Sequence, residues 1–124
     1  MGMSQTVRCR DGVPAWPEVA ARLTSDNRLA TMRMIEGQLA FPDEEPPSDW
    51  RELRVSLGPG MVTIRRESDA VTLVIWGNSD PALVQAWNSL TLAFAELSGG
   101  SIATEAGECD PATFRTRVDP PTSA

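Results

Sequence analysis

The sequence predicts one α+β domain, in which a mostly antiparallel sheet of five to six strands carries two helices on one face. Three observations indicate this architecture. Residues 52–76 alternate apolar and polar side chains through three strand-length segments, which is the period of a sheet with one buried face. Residues 81–98 instead space their apolar side chains three and four apart, as on the buried side of a helix. Residues 14–23 repeat this helical spacing over a shorter length.

The domain limits follow from where these patterns begin and end. A length of 124 residues is typical of one domain and leaves little room for a second core. Residues 1–13 show no sustained periodicity, so we expect a flexible N-terminal segment or a loosely attached first strand. The domain itself then covers residues 14–118, and residues 119–124 form a flexible C-terminal tail.

The first helix and a hairpin open the domain. Pro14 suits the start of the helix, because proline is tolerated only in the first turn, and the polar residues 25–27 end it. Residues 28–35 and 38–41 then flank Glu36-Gly37. A two-residue connection that contains glycine is typical of a tight turn between antiparallel strands.

An acidic, proline-rich loop follows the hairpin at residues 42–49. It contains Asp43, Glu44 and Glu45, and it ends at Trp50. Prolines remove backbone donors, and clustered polar residues favour a turn or loop. We therefore expect this segment to be an exposed loop with Trp50 at its junction with the next strand.

The strongest strand signal lies after this loop. Residues 53–57, 61–65 and 71–75 alternate apolar and polar side chains and are rich in β-branched residues, which fit a half-buried sheet. Turn-forming residues at 58–60 and 67–69 connect them. Three antiparallel strands in a meander are the economical interpretation.

The long helix has the clearest boundaries in the chain. Residues 79–80 supply a capping side chain before Pro81, and the helix is predicted from about Pro81 to Ser98. Gly99-Gly100 then provides a left-handed cap. Residues 101–106 are predicted to add a short strand, and residues 111–117 one helical turn.

The charge balance argues against nucleic acid as a partner. All 11 basic residues are arginine, the chain lacks lysine, histidine and tyrosine, and 17 carboxylates bring the net charge to -6. Nucleic-acid binding depends on cationic contacts to phosphate. An acidic surface instead favours a basic partner. The absence of lysine is typical of coding bias in a GC-rich, bacterial genome.

The same composition excludes most enzymatic mechanisms. Without histidine, lysine or tyrosine, the chain lacks the usual general bases and the Schiff-base nucleophile. A carboxylate pair, formed by Glu36, Glu52 or Glu67 with Asp69, remains as a hypothetical catalytic dyad. These side chains fall at turns or on the wet faces of strands, so we expect solvated surface charges. The prediction is a protein with no enzymatic activity, no cofactor and no metal.

The hydropathy of the chain and its two cysteines both bear on the cellular compartment. The longest strongly apolar stretch, residues 70–76, is too short to cross a bilayer, and residues 1–11 lack the apolar block of a secretory signal. We therefore expect a cytoplasmic protein that does not bind membranes. Cys9 and Cys109 lie near opposite ends of the chain; a disulfide between them is possible, but reduced thiols are expected in the cytoplasm.

One constellation resembles a recognition surface. Alternation places Trp76 and Val74 on the face opposite the apolar side of their strand, so this face is either covered or exposes an apolar patch. Met61 and Trp50 are predicted to lie beside it, next to the acidic loop 43–45.

The sequence therefore predicts a non-enzymatic accessory or regulatory protein that acts through protein–protein interaction. The partner is either a second copy, in a homodimer, or a basic protein. The alternative is a small-molecule binder with a pocket between the sheet and the long helix. There Arg54 or Arg65 would hold an anionic group.

Overall fold

The computed structural model describes residues 2–58, 60–76 and 80–118. These residues form the following elements, in chain order: β1 (Gly2–Arg8), α1 (Trp16–Ser25), β2 (Thr31–Ile35), β3 (Gln38–Leu39), β4 (Glu52–Ser56), β5 (Met61–Glu67), β6 (Ala70–Trp76), α2 (Pro81–Ser98), β7 (Ser101–Thr104), β8 (Gly107–Cys109) and α3 (Pro111–Val118). All strands join one antiparallel sheet in the order β3-β2-β4-β5-β6-β1-β7-β8. The α+β class and the antiparallel sheet are confirmed.

The number of elements differs from the prediction. The sheet has eight strands rather than five to six, and three helices rather than two occur in the described ranges. The outermost strands, β3 and β8, are two and three residues long, too short to show an alternating pattern. The third helix, α3, extends the single turn predicted after Pro111, and its Phe114 is buried in the core.

The N-terminal segment is the largest departure from the sequence prediction. Of the two alternatives for the N-terminal segment, a flexible segment or a loosely attached first strand, residues 2–8 form a strand, β1, in the interior of the sheet. This strand pairs with β6 along its whole length and with β7 at Thr6–Arg8. Its Val7 is fully buried, so β1 belongs to the domain. The predicted tail, residues 119–124, lies outside the described residues.

The meander has the predicted antiparallel register. Leu53 on β4 lies opposite Ile64 on β5, which lies opposite Leu73 on β6. All three side chains are fully buried and form a continuous apolar row across the inner face of the sheet. The period of two along each strand therefore sends the intervening residues to the other face.

The predicted hairpin turn is present between β2 and β3. Glu36 and Gly37 both adopt positive φ angles, 54° and 79°, as a two-residue turn that matches sheet twist requires. The Glu36 carboxylate accepts hydrogen bonds from the backbone N–H groups of Arg51 and Glu52. This side chain therefore joins the hairpin to the start of β4.

The long helix α2 occupies the centre of the helical layer. It begins with Asp80, whose Oδ1 accepts a hydrogen bond from the N–H of Ala82 at 2.7 Å, and it ends at Gly99 with φ 64°. Both boundaries agree with the prediction. No helix in the described part of the chain is long and apolar enough to cross a membrane.

Charged and polar contacts fix α2 to its neighbours. The Glu96 carboxylate lies 2.6 Å from Arg22 of α1 and 2.9 Å from Arg115 of α3, so one side chain joins three helices. Beneath α2, Gln5 of β1 donates to Asn88 at 3.0 Å and accepts from Thr91 at 2.7 Å. All three helices therefore lie on the same face of the sheet.

Candidate interaction surface

The face of the sheet opposite the helices is the main candidate. We call it the open face, and its residues are those that alternate with the buried row. On β6 these are Ala70, Thr72, Val74 and Trp76, all half-buried or exposed, whereas Val71, Leu73 and Ile75 are fully buried. The contacts of α2 are with β1, β6 and β7, and α1 and α3 pack beside it. Within the described residues, no helix lies on the open face.

An apolar patch occupies one end of the open face. Val74 pairs with Thr63, and continuation of this register places Trp76 beside Met61. Trp76 is 61% exposed and Met61 42% exposed, whereas Val74 is partly covered. We call Trp76, Met61 and Val74 the Trp76 patch. The structure thus brings together three of the side chains that the sequence singled out.

A second apolar pair lies nearer the β3 edge of the same face. Met34 on β2 pairs with Leu39 on β3 and with Arg54 on β4. Leu39 is almost fully exposed, and the Arg54 guanidinium lies 3.8 Å from the Met34 sulfur. Sequence analysis missed this pair. The alternation of β2 was the available signal, but a bulge between Met32 and Met34 interrupts it.

Charges of both signs surround the apolar residues. Arg65 lies 3.3 Å from Glu52, and Arg8 lies 3.5 Å from Glu108. Arg54 and Glu67 occupy the same face by register. The strand pairing therefore assigns three arginines and three glutamates to the open face: Arg8, Arg54, Arg65, Glu52, Glu67 and Glu108. This face is close to neutral although the whole chain has a net charge of -6.

The acidic loop lies at the margin of the sheet. Asp43, Glu44 and Glu45 are exposed on the connection between β3 and β4, and the Glu44 carboxylate accepts a hydrogen bond from the N–H of Phe41 at 3.1 Å. The strands β2 and β4 separate β3 from β5. The loop carboxylates and the Trp76 patch are therefore distinct parts of the surface.

The structure places Trp50 in the core, although the sequence grouped it with the surface residues. It is only 2% exposed. Its ring contacts Phe94 of α2 edge-on, with a centroid separation of 6.4 Å, and Arg66 lies over it at 5.1 Å. Pro46, in the same loop, is also buried. Trp50 thus anchors the loop to the helical side of the sheet and does not belong to the open face.

The arginines proposed for anion binding lie away from the helix. Arg54 and Arg65 are on the open face, and Arg65 is paired with Glu52. A groove of about 420 Å³ does lie between α2 and the end of the sheet, and its arginine is Arg28. The residues named for a small-molecule pocket are therefore not in that pocket.

Two carboxylates of the hypothetical dyad are engaged in other contacts. Glu36 is bound to backbone amides, and these hydrogen bonds lower the pKa of its carboxyl group below the ordinary value of 4.5. Glu52 is paired with Arg65. No group of three or more potential metal ligands occurs among the described residues.

The two cysteines are free thiols that share the inner side of the sheet. Cys9 follows β1 and Cys109 ends β8, with β7 between these strands. Two inter-strand spacings amount to about 9–10 Å, beyond the ~4.4–6.8 Å between Cα atoms that a disulfide spans. Burial raises the pKa of the Cys9 thiol, which makes it a poor nucleophile.

Comparisons of this chain with protein-family models, with curated proteins and with solved structures found no match. The functional argument therefore rests on the geometry of the open face.

Proposed function

We propose that this chain is a non-enzymatic accessory or regulatory protein that acts by binding protein through the open face. The observation that carries the proposal is the exposure of Trp76, 61%, on a sheet face that no described helix covers. We place this activity in the cytoplasm, where thiols such as Cys9 and Cys109 stay reduced.

The composition of the open face supports a binding role. Interfaces combine an apolar centre, enriched in Trp and Met, with a polar rim. Here the Trp76 patch supplies the apolar centre, and Arg65–Glu52 and Arg54 supply charged neighbours. Trp is also enriched among the residues whose truncation costs most binding free energy. The apolar area of the patch is favourable to bury, at about 25 cal/mol per Å².

The contacts of Glu36 and Glu52 support a binding role over catalysis. A glycosidase-type mechanism needs two carboxyl groups on either side of one bond. Glu36 instead holds backbone amides, and Glu52 holds an arginine. Glu36 and Glu52 thus each have a structural role in the fold.

The test is a comparison of two charge-introducing variants of the full chain. Trp76→Asp places a carboxylate in the Trp76 patch, whereas Leu97→Asp places one at a similarly apolar, partly exposed position on α2. We expect the wild type and Leu97→Asp to associate, with themselves or with a purified captured partner, and Trp76→Asp to lose that association. Sedimentation velocity measures self-association, and titration with the purified partner measures hetero-association.

Circular dichroism and a urea titration first establish that both variants fold. If folded Trp76→Asp associates as well as the wild type in both measurements, the open face is not the binding surface. If the wild type binds neither itself nor a partner, the proposed function fails.

A further inference from the structure

We infer that the occupant of the open face is a second copy of this chain, held by an isologous, sheet-to-sheet contact that includes the Trp76 patch. This inference rests on the proposed function and names its partner. Three features of the described residues carry it: the size of the face, its local charge and the position of its apolar centre.

The size of the open face matches one side of a standard interface. Five adjacent strands, β2, β4, β5, β6 and β1, contain five to seven residues each. At the spacings of a sheet they form a face about 24 Å wide and about 20 Å long, on the order of 500 Å² in projection. Upright side chains increase the accessible area beyond that figure, toward the ~800 Å² that each partner of a stable complex buries.

The local charge of the face permits contact with a copy of itself. A uniformly acidic face would repel its copy, but three arginines and three glutamates balance here within the described residues. The remaining charges, which give the chain its net -6, lie elsewhere and add only long-range repulsion.

The position of the Trp76 patch is suited to a two-fold contact. Trp76 and Met61 are lateral neighbours on β6 and β5, in the middle of the strand order. A two-fold axis that passes between these strands and runs parallel to them sets Trp76 of each copy against Met61 of the other. Aligned sheets stack about 10 Å apart, a distance that these two long side chains fill.

A basic partner is the rival occupant, and the geometry favours it less. Its natural target is the acidic loop with Asp43, Glu44 and Glu45. That loop follows the edge strand β3, whereas the Trp76 patch lies beyond β2 and β4. A partner attracted by the loop carboxylates would therefore not need to cover Trp76.

Salt concentration distinguishes the two possible occupants, because raising it should strengthen the dimer and weaken binding to a basic partner. Two copies with a net charge of -6 repel each other, so screening strengthens an apolar dimer; contact with a basic partner is instead weakened. We expect sedimentation equilibrium of the full chain to show a dimer. Its dissociation constant should fall about threefold or more between about 0.05 M and about 0.5 M NaCl. Trp76→Asp should raise that constant about 30-fold or more.

Cross-linking tests the position of the axis. In a Cys109→Ser background, a short bis-maleimide should join Met61→Cys to its copy, since the two-fold brings the β5 strands of the two copies to about 11 Å from each other. Leu39→Cys is the matched control, exposed on the same face but on the edge strand β3, three strands further from the axis than β5, which sets it roughly 30 Å from its copy. Equal cross-linking at both positions, or none at Met61→Cys, would overturn the proposed arrangement.

The outcomes distinguish failure of this inference from failure of the proposed function. A wild type that stays monomeric at every salt concentration rules out the second copy. If Trp76→Asp nevertheless loses a purified hetero-partner, the proposed function stands. A dimer that is insensitive to Trp76→Asp, or that salt weakens, also contradicts the inference.

Discussion

The two faces of the sheet are built from the same strands, yet they differ in solvent exposure. Along β6, the inward residues Val71, Leu73 and Ile75 have no solvent exposure, while Trp76 on the outward side is 61% exposed. The difference arises from the connections, because every described helix packs on the inward side. A strand that is apolar on both faces can therefore have one side in the core and the other exposed, as β6 has.

The two tryptophans Trp50 and Trp76 give the sharpest test of this contrast. Trp50→Ala removes a fully packed ring that contacts Phe94, so we expect the free energy of unfolding to fall by about 4 kcal/mol. Trp76→Ala removes a largely exposed ring and should cost the monomer less than about 1 kcal/mol. Urea denaturation at low protein concentration measures both values. Similar losses for the two variants would mean that the open face is part of the core.

The polar residues of β1 extend the comparison to a single strand. Gln5 faces α2 and makes hydrogen bonds to Asn88 and Thr91, whereas Thr6 faces outward and bonds Thr72 at 3.1 Å. Gln5→Ala should lower the free energy of unfolding by about 2 kcal/mol, because Asn88 and Thr91 each lose a hydrogen-bond partner beneath α2. Thr6→Ala should lower it by about 0.5 kcal/mol. The same urea titration measures the pair, and the reverse order would contradict the assignment of β1 to the sheet interior.

Two ion pairs, one on each side of the sheet, allow a further comparison. Glu96 joins α1 and α3 to α2 and is the less exposed carboxylate, whereas Glu52 pairs with Arg65 on the open face. We expect Glu96→Gln to cost about 1 kcal/mol and Glu52→Gln less than about 0.5 kcal/mol, since exposed pairs are screened by water. Thermal unfolding of both variants, at low and high salt, measures this difference. A larger effect at Glu52 would show that the helical layer does not depend on Glu96.

The elements that could be predicted from the sequence are those whose signal is local. The meander from Glu52 to Trp76 and the helix α2 each carry a full period and turn or capping residues, so their existence and limits followed directly. The interior position of β1 could not follow, because it depends on pairing with β6 and β7, which are distant in sequence. The strands β3 and β8 are too short to show a period.

The candidate surface could also be predicted only where its signal is local. Alternation alone assigns Val74 and Trp76 to the face opposite the core and places Met61 beside them. Whether that face is covered depends on where the helices pack, which no local pattern determines. Trp50 follows a loop without periodicity, so its burial against Phe94 had no sequence signal.

The smallest expected effect concerns Glu36, in the turn between β2 and β3 at one edge of the sheet. Backbone hydrogen bonds from Glu52 and Arg51 lower the pKa of its carboxyl group below the ordinary value of 4.5. A lowered pKa in the folded state means that ionised Glu36 stabilises the fold above the unfolded pKa. This contribution is lost as the pH falls through the folded pKa. Because the side chain is exposed, the contribution is only about 0.3 kcal/mol.

The variant Glu36→Gln keeps an oxygen acceptor for the two amides but removes the charge. We expect it to be less stable than the wild type at pH 7, with a difference that shrinks below the ordinary pKa of 4.5 and vanishes once both side chains are neutral. Urea titrations at neutral and acid pH measure this convergence, with Glu45→Gln in the exposed loop as the control. A difference that stays constant with pH would show that the amides of Arg51 and Glu52 depend on the shape of the side chain rather than its charge.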